Sequence, residues 1–231
     1  MMAPYKARIS CLASGNGSNL QALIDSCASE DPESIQGEIV KVTVNRKAAY
    51  AIKRAEAAQP PIPTDYFNLV AHGFQVAGEK DQEKIKEARF KYDQALAERI
   101  LADKPDLIVQ AGWMHVMSSG FLNPVAAAGV PIINLHPALP GQYDGAGAIK
   151  RAYDDFQAGK LKDGITGIMI HYVVEQVDRG APILIQKIKM EEGESLEDLE
   201  QKIHKEEHAL IVKATAQLAQ KIAVENQFNT K

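Results

Sequence analysis

The sequence predicts an α/β fold, in which a doubly wound, mostly parallel sheet of seven strands is flanked by helices. Three observations predict this fold class. Runs typical of strands alternate with runs typical of helices, which implies βαβ units and a sheet covered on both faces. Two of the strand-like runs, PDLIVQAGW (105–113) and VPIINLH (130–136), are mostly apolar, as expected of buried strands. A glycine-rich turn, SGNGS (14–18), connects the first strand to the first helix.

The strands are predicted from apolar and β-branched runs that are bounded by turn-forming residues. In chain order they lie at 7–13, 38–44, the tail of 60–69, 105–113, 130–136, 166–175 and 181–190. The helices are predicted from amphipathic patterns at 19–29, 48–59, the later part of 71–102, 144–159 after an initial loop, and 195–223. In the last helix, Ser195 is the expected N-cap, and Glu197 and Asp198 lie in the first turn, where acidic side chains stabilise the helix dipole.

The composition argues against several classes of protein. The chain has 231 residues, 45% hydrophobic and 24% charged, which is enough for a sizeable core. Its net charge is −4 and no run of five like charges occurs, so we expect no nucleic-acid or membrane partner. No apolar stretch has the length of a signal peptide core or a membrane span. Cys11 and Cys27, without CxxC spacing, are typical of a reducing compartment, so we expect a cytoplasmic protein. For its quaternary structure we expect a monomer or a homodimer.

The glycine-rich turn is a candidate phosphate site. In doubly wound sheets, ligands bind beyond the carboxyl ends of the strands. Gly15 and Gly17 allow a tight turn, and the amides of Gly17, Ser18 and Asn19 would open the first helix. The free N–H groups and the dipole at such a helix start attract a phosphate. A tight turn with no ligand is the alternative interpretation.

Asn134, His136 and Asp178 form the candidate catalytic group. Asn134 and His136 are two residues apart at the end of a predicted strand, so their side chains lie on one face. The imidazole can carry a proton near neutral pH, and the amide can donate to a developing oxyanion. Asp178 lies in the turn after the next strand, which we expect at the same end of the sheet, where it would orient His136. GWMHVM (112–117) follows a buried strand and could form an apolar wall for a flat ring.

Two further patterns leave other functions open. The second strand ends in NRK (45–47), so an NADP-dependent reductase with Arg46 and Lys47 on the cofactor's phosphate is an alternative. HKEEH (204–208) matches a zinc-binding pattern, with His204 and His208 one helical turn apart. A short pattern of this kind also arises by chance in a charged helix, and no third ligand is evident.

Five blocks of the sequence, in order and spacing, resemble the phosphoribosylglycinamide formyltransferases, a family of folate-dependent enzymes of purine synthesis. The resemblance covers residues 8 to about 222. The blocks are SGNGSNLQALID, PDLIVQAGWMHVMS, INLHPALPG, HYVVEQVDRGAPILIQ and EEHALIV. It implies a Rossmann-like formyltransferase fold in a single domain over 1–231. The nucleotide substrate would lie on the side of residues 1–110, and the folate and the catalytic residues would lie in residues 111–225.

The resemblance also implies the reaction and the site residues. The formyl donor would be 10-formyltetrahydrofolate, without a metal, and the acceptor would be the amine of glycinamide ribonucleotide. His136 would carry the proton, Asn134 would bind the formyl oxygen and Asp178 would support His136. The nucleotide would be bound by Gly17, Ser18, Asn19 and Glu207. The folate would be contacted by Arg89, Met114, His115, Val116, Met117, Asn134, Val174, Glu175, Gln176, Val177 and Asp178.

Two other enzymes and a binding module are alternative interpretations of the same catalytic group. Methionyl-tRNA formyltransferase and formyltetrahydrofolate hydrolase share it, but carry an additional C-terminal or N-terminal domain. The first strand begins by Ala7 and the chain ends soon after the last helix, which favours the small nucleotide acceptor. A non-catalytic nucleotide-binding module is a further alternative, since it would bind the nucleotide without consuming a formyl folate.

Overall fold

The computed structural model describes residues 5–229 and contains one sheet of seven strands in the order β3-β2-β1-β4-β5-β6-β7. The seven-stranded α/β architecture is therefore confirmed. The strands are β1 (Ala7–Ala13), β2 (Gly37–Val44), β3 (Thr64–Tyr66), β4 (Leu107–Gln110), β5 (Ile132–His136), β6 (Ile165–Tyr172) and β7 (Pro182–Lys189). The helices are α1 (Ser18–Ala28), α2 (Ala51–Ala57), α3 (Gln82–Leu101), α4 (Ser119–Ala127), α5 (Ala148–Gln157) and α6 (Leu196–Asn229).

One strand of the sheet, β6, runs against the other six. β1 to β5 are mutually parallel, whereas β6 is antiparallel to β5 and β7 is antiparallel to β6. β1 pairs with both β2 and β4, so the strand order reverses between β1 and β4. Ligands bind at such a reversal, beyond the carboxyl ends of the strands. The loops that follow β1, β4 and β5 therefore lie at the expected position of a site.

Apolar side chains fill both faces of the sheet. Neighbouring residues of a strand face opposite sides, so Cys11 and Val109 join one core cluster while Leu12 and Ile108 join the other. The first cluster includes buried residues of α1, α2 and α6, and the second includes those of α3 and α4. Each fully buried aliphatic side chain contributes about 1.5–3 kcal/mol of transfer free energy. The buried strands of the sheet are consequently a rigid base for the loops at its edge.

Two elements differ from the sequence prediction. α4 was not predicted, although Ser118 caps it by accepting a hydrogen bond from the Gly120 N–H. Pro124 lies inside this helix and obscured the helical pattern, because proline removes a backbone donor. β6 ends at Tyr172, three residues before the predicted end, and residues 173–181 form a loop. Within the described part of the chain, no helix has the length and apolar character to cross a membrane.

Candidate active site

A cavity of about 290 Å³ opens at the carboxyl ends of β4 and β5. Its polar side chains come mainly from β4, β5, β6 and the loop that follows β6, whereas the segment after β4 supplies a mostly apolar wall. A mostly apolar cavity with a few convergent polar groups is the usual form of a small-molecule site. Its lining includes Trp113, Met114, His115, Val116, Met117, Asn134, His136, His171, Val174, Val177 and Asp178.

The β5–β6 register brings a second histidine beside the predicted pair. Asn134 is paired directly with His171, and His136 is paired with Met169. Directly opposed residues share a face, so Asn134, His136 and His171 all point to the face covered by α3 and α4. His136 and His171 are each only 2% exposed. His171 was not among the predicted site residues, because a sequence does not reveal which residue of an antiparallel neighbour lies opposite Asn134.

Asp178 reaches the two histidines by a route that differs from the prediction. β6 runs antiparallel to β5, so its carboxyl end lies beside Ile133 and not beside the end of β5. The expectation that Asp178 follows a strand at the same end of the sheet was wrong. The loop 173–181 instead returns over the face of the sheet and places Asp178 against His136. Gly180 is required there, because a Cβ at this position would overlap the carbonyl oxygen of Tyr172.

The Asp178 carboxylate is surrounded by donors. Its Oδ2 accepts a 2.7 Å hydrogen bond from the Gly145 N–H and lies 3.3 Å from His136 Nδ1. Its Oδ1 lies 3.5 Å from His171 Nε2 and 3.5 Å from Asn134 Nδ2. Burial opposes ionisation, but the contacts with His171 and Gly145 and the nearby His136 outweigh it and lower the pKa of Asp178 below its usual value. Asp178 is therefore an ionised carboxylate at neutral pH.

Both ring nitrogens of His136 face oxygen acceptors. Nε2 lies 3.0 Å from the Gln142 carbonyl oxygen, and Nδ1 faces the Asp178 carboxylate. Neither oxygen carries a proton to donate, so either ring nitrogen acts as the donor in its contact. Nε2 can therefore present a proton for transfer. The Gln142 carbonyl must release Nε2 before that proton can reach a bound substrate.

Asn134 is oriented by the same two neighbours. His171 Nδ1 lies 2.9 Å from the Tyr172 carbonyl oxygen, and its Nε2 faces both Asn134 and Asp178. Asn134 Nδ2 lies 3.3 Å from this Nε2 and donates a hydrogen bond to Asp178 at 3.5 Å. This hydrogen bond is long, and long hydrogen bonds are weak. The amide can therefore turn toward an oxyanion at low cost.

The segment 112–118 forms the apolar wall, and its side chains alternate. Met114 is 71% exposed and Val116 is 52% exposed, whereas Trp113 and Met117 are buried. His115 shares the inward side with them and bonds to Asp93 of α3. The alternation leaves two large apolar side chains free to contact a ligand.

The glycine-rich turn after β1 has the geometry of an anion site. Gly17 has φ +76°, and a Cβ there would lie 2.9 Å from the Cβ of Ala51, so only glycine fits without strain. No side chain caps the start of α1, which leaves its first N–H groups available to a ligand. Arg54, which was not predicted, holds this turn through two hydrogen bonds to Asn16, one to its carbonyl oxygen and one to its side chain. Ser14 connects the turn to the apolar wall, because its hydroxyl accepts a 2.8 Å hydrogen bond from the Met114 N–H.

Glu207 approaches the same turn from α6. It is 7% exposed, and its carboxylate lies within hydrogen-bonding reach of the Asn19 side chain. Burial raises the pKa of Glu207, although His204 and Asn19 partly oppose the shift. Burial lowers the pKa of His208, and the nearby side chains of His204 and Arg54 add to the shift. Across residues 5–229, no group of three or more His, Cys, Asp or Glu side chains is arranged to hold a metal ion.

Three of the residues assigned to the folate site lie outside the cavity lining. Glu175 and Gln176 are exposed in the loop 173–181, and Glu175 borders a neighbouring groove. Arg89 lies behind the wall, and its Nη2 donates to the Val116 carbonyl oxygen at 3.2 Å. Their direct contact with a folate stays a prediction.

These features define a doubly wound α/β protein with a site for stabilising an oxyanion and moving a proton, next to a turn suited to a phosphate. Comparison with known families agrees with this class: residues 7–215 match the model of the family described as formyl transferase. The chain belongs to the formyl transferase family.

Characterised relatives narrow the comparison. The chain is 41% identical over 214 residues to a phosphoribosylglycinamide formyltransferase of Schizosaccharomyces pombe, covering 92% of this chain and 97% of that one. It is 31% identical to the enzyme of the same name from Escherichia coli, covering 86% and 81%. Among solved structures, a glycinamide ribonucleotide transformylase from Symbiobacterium toebii superposes with a TM-score of 0.74 at 28% identity, covering 94% of this chain and 89% of that one.

Proposed function

We propose that this chain transfers the formyl group of 10-formyltetrahydrofolate to the amine of glycinamide ribonucleotide, a step of purine synthesis. One observation carries the proposal: Asn134, His136 and Asp178 meet in a single cavity that adjoins the glycine-rich turn. Relatives similar over nearly the whole chain bear the name of this activity, which supports the choice of donor and acceptor.

The residues have distinct tasks in this reaction. The amine nitrogen attacks the formyl carbon and forms a tetrahedral oxyanion, which the Asn134 amide stabilises by donating a hydrogen bond. Collapse of this intermediate breaks the bond between the formyl carbon and the folate nitrogen. His136 delivers a proton from Nε2 to the leaving folate nitrogen. The imidazole then takes up the proton that the amine loses, so the ring ends the reaction as it began, and Asp178 stabilises the protonated ring.

The two substrates would occupy adjoining regions. The phosphate would bind the amides of Gly17, Ser18 and Asn19, with Glu207 on the ribose side. The folate ring system would lie against Met114 and Val116, whose side chains are exposed. The contact between Ser14 and Met114 fixes the distance between these regions.

We infer a cytosolic monomer or homodimer with small-molecule substrates only. Cys11 and Cys27 are free thiols, which is consistent with a reducing compartment. The net charge of −4 is unfavourable for binding nucleic acid.

A spectrophotometric assay tests the proposal. The protein is mixed with a 10-formyl folate, with and without glycinamide ribonucleotide, and the absorbance of the deformylated folate is followed. We expect release only when the amine is present. Release without the amine would identify a hydrolase, and no release in either mixture would overturn the proposed reaction.

A further inference from the structure

The apolar wall of the cavity depends on a carboxylate that does not itself reach the cavity. Asp93 lies on α3 and its side chain is fully buried. Its Oδ1 lies 2.6 Å from His115 Nε2, and its Oδ2 accepts a 2.7 Å hydrogen bond from the Ser118 N–H. Both partners belong to the wall segment 112–118. A buried carboxylate is stable only when it is paired and hydrogen-bonded, so these contacts bind the segment firmly to α3.

We propose that Asp93 is a positioning residue for the formyl donor, acting through His115 on the wall formed by Met114 and Val116. This inference rests on the proposed function, because it assigns the donor to that wall. His115 stands between the two wall residues in the sequence and points to the opposite side. The pair of Asp93 and His115 therefore sets where both apolar side chains project.

Few other contacts hold the segment 112–118 in place. The segment 112–118 contains no regular secondary structure, and it begins at Gly112, whose φ is +84°. Ser14 holds Met114 from the side of the glycine-rich turn, and Arg89 holds the Val116 carbonyl from an exposed position. The His115 ring also packs edge-on against Tyr92, with 5.2 Å between the centroids. Of these contacts, the one with Asp93 is the shortest and the most buried, so its loss should move the wall most.

His115 thus has a task in addition to the folate contact that the resemblance implies. The resemblance implies direct contact of His115 with the folate, together with Met114, Val116 and Met117. Its Nε2 is directed at Asp93, and its side chain is 11% exposed. An imidazole held in this way contributes to the donor site mainly by fixing its neighbours.

Steady-state kinetics of three variants and a control test the proposal. The variants are Asp93→Asn, His115→Gln and the double variant Asp93→Asn/His115→Gln. In the double variant, the glutamine amide can still donate to the asparagine oxygen without leaving a buried charge unpaired. The control is Glu98→Gln on the same helix, where the side chain is exposed and remote from the wall.

We expect each single variant to raise the KM for the formyl donor at least about tenfold, since a displacement of about 1 Å can cost 100-fold in rate. The KM for glycinamide ribonucleotide should stay within about twofold, because Asp93 does not contact the glycine-rich turn. The double variant should be no worse than the worse single variant, since both changes break one contact. Glu98→Gln should match the wild-type protein in both KM values.

Three results would overturn the positioning role: an unchanged donor KM in folded Asp93→Asn, single effects that multiply in the double variant, or equal rises in both KM values. If Asp93→Asn does not fold, the donor KM of His115→Gln decides in the same way. The wild-type protein is assayed in parallel. Absence of turnover by the wild-type protein would refute the proposed function, whereas normal wild-type turnover with an unchanged donor KM in the variants would refute only the role of Asp93.

Discussion

Replacing Asp178 with asparagine removes one charge from the centre of the site and leaves its shape almost unchanged. The carboxylate Oδ2 is 3.3 Å from His136 Nδ1. At an effective dielectric constant of about 20, two unit charges at that separation attract by about 5 kcal/mol. This energy corresponds to between three and four powers of ten in rate if it were lost entirely from the transition state. Asparagine retains an acceptor for the Gly145 N–H, and water can partly replace the lost charge. We therefore expect kcat to fall about 1,000-fold.

The assay is the release of deformylated folate at saturating concentrations of both substrates, with each KM measured separately. Both KM values should change less than about threefold, because the charge acts on proton transfer more than on binding. Asp154→Asn is a suitable control, since Asp154 is an exposed residue of α5 whose ion pair is with Lys150. A folded Asp178→Asn protein with kcat within tenfold of the wild-type value would refute the role given to the ion pair.

The same variant has a pH signature in stability. The folded-state pKa of Asp178 lies below the usual value of 3.8, so the ionised group stabilises the fold above that value. This contribution is lost as the pH falls through the folded-state pKa. Urea denaturation should therefore show a less stable Asp178→Asn protein at pH 7, and the difference should narrow below pH 3.8. A difference that widens in acid would contradict the assigned ionisation of Asp178.

Three further predictions follow from the site. Asn134→Ala or His136→Ala should lower kcat at least about 100-fold in a folded protein, and wild-type turnover in either would contradict its role. Gly17→Ala should lower the free energy of unfolding by about 2 kcal/mol, because alanine would have to adopt the left-handed backbone conformation of Gly17. Gly15→Ala is the control: open space surrounds that position, so this variant should unfold near the wild-type temperature. Glu207→Gln should weaken nucleotide binding but raise the melting temperature at pH 7, as measured by calorimetry. The melting temperature rises because the pKa of Glu207 is raised in the folded protein, so ionisation of Glu207 destabilises the fold as the pH rises. The gain in melting temperature should vanish below pH 4.5, where the carboxyl group is protonated in both states.

The parallel part of the sheet was predictable because its signals are local. β1 occupies Ala7–Ala13, as the apolar run 7–13 predicted, and the glycine-rich turn follows it directly. The predicted core strands PDLIVQAGW and VPIINLH contain β4 and β5. α4 was missed despite its Ser118 cap, because Pro124 at its centre is a strong signal against a helix. Local signals thus predict an element well, except where tertiary packing stabilises a conformation that one of its residues disfavours.

The antiparallel end of the sheet was not predictable in the same way. The sequence around HYVVEQVDRG does not indicate that β6 is antiparallel to β5, since a short apolar run is compatible with both strand directions. The proximity of Asp178 and His136 was predicted from the argument that strand ends share one edge, and that argument does not apply to β6. The distance of 3.3 Å arises instead from the returning loop. The roles of His171 and Gly145 depend on pairings between segments that are distant in sequence.

Strain in the returning loop explains why it can hold the carboxylate so specifically. Asp178 has φ +56°, a left-handed conformation that costs a non-glycine residue about 1–2 kcal/mol. The conformation persists because the Gly145 N–H and the two histidines bind the carboxylate, and because Gly180 lets the chain pass close to Tyr172. Neutralising Asp178 therefore weakens the contacts that maintain its own backbone conformation. Removing the charge should therefore also disorder the loop. Asp178→Gly relieves the backbone strain but removes the carboxylate, so this variant should be more stable than Asp178→Ala. Both variants should be equally inactive.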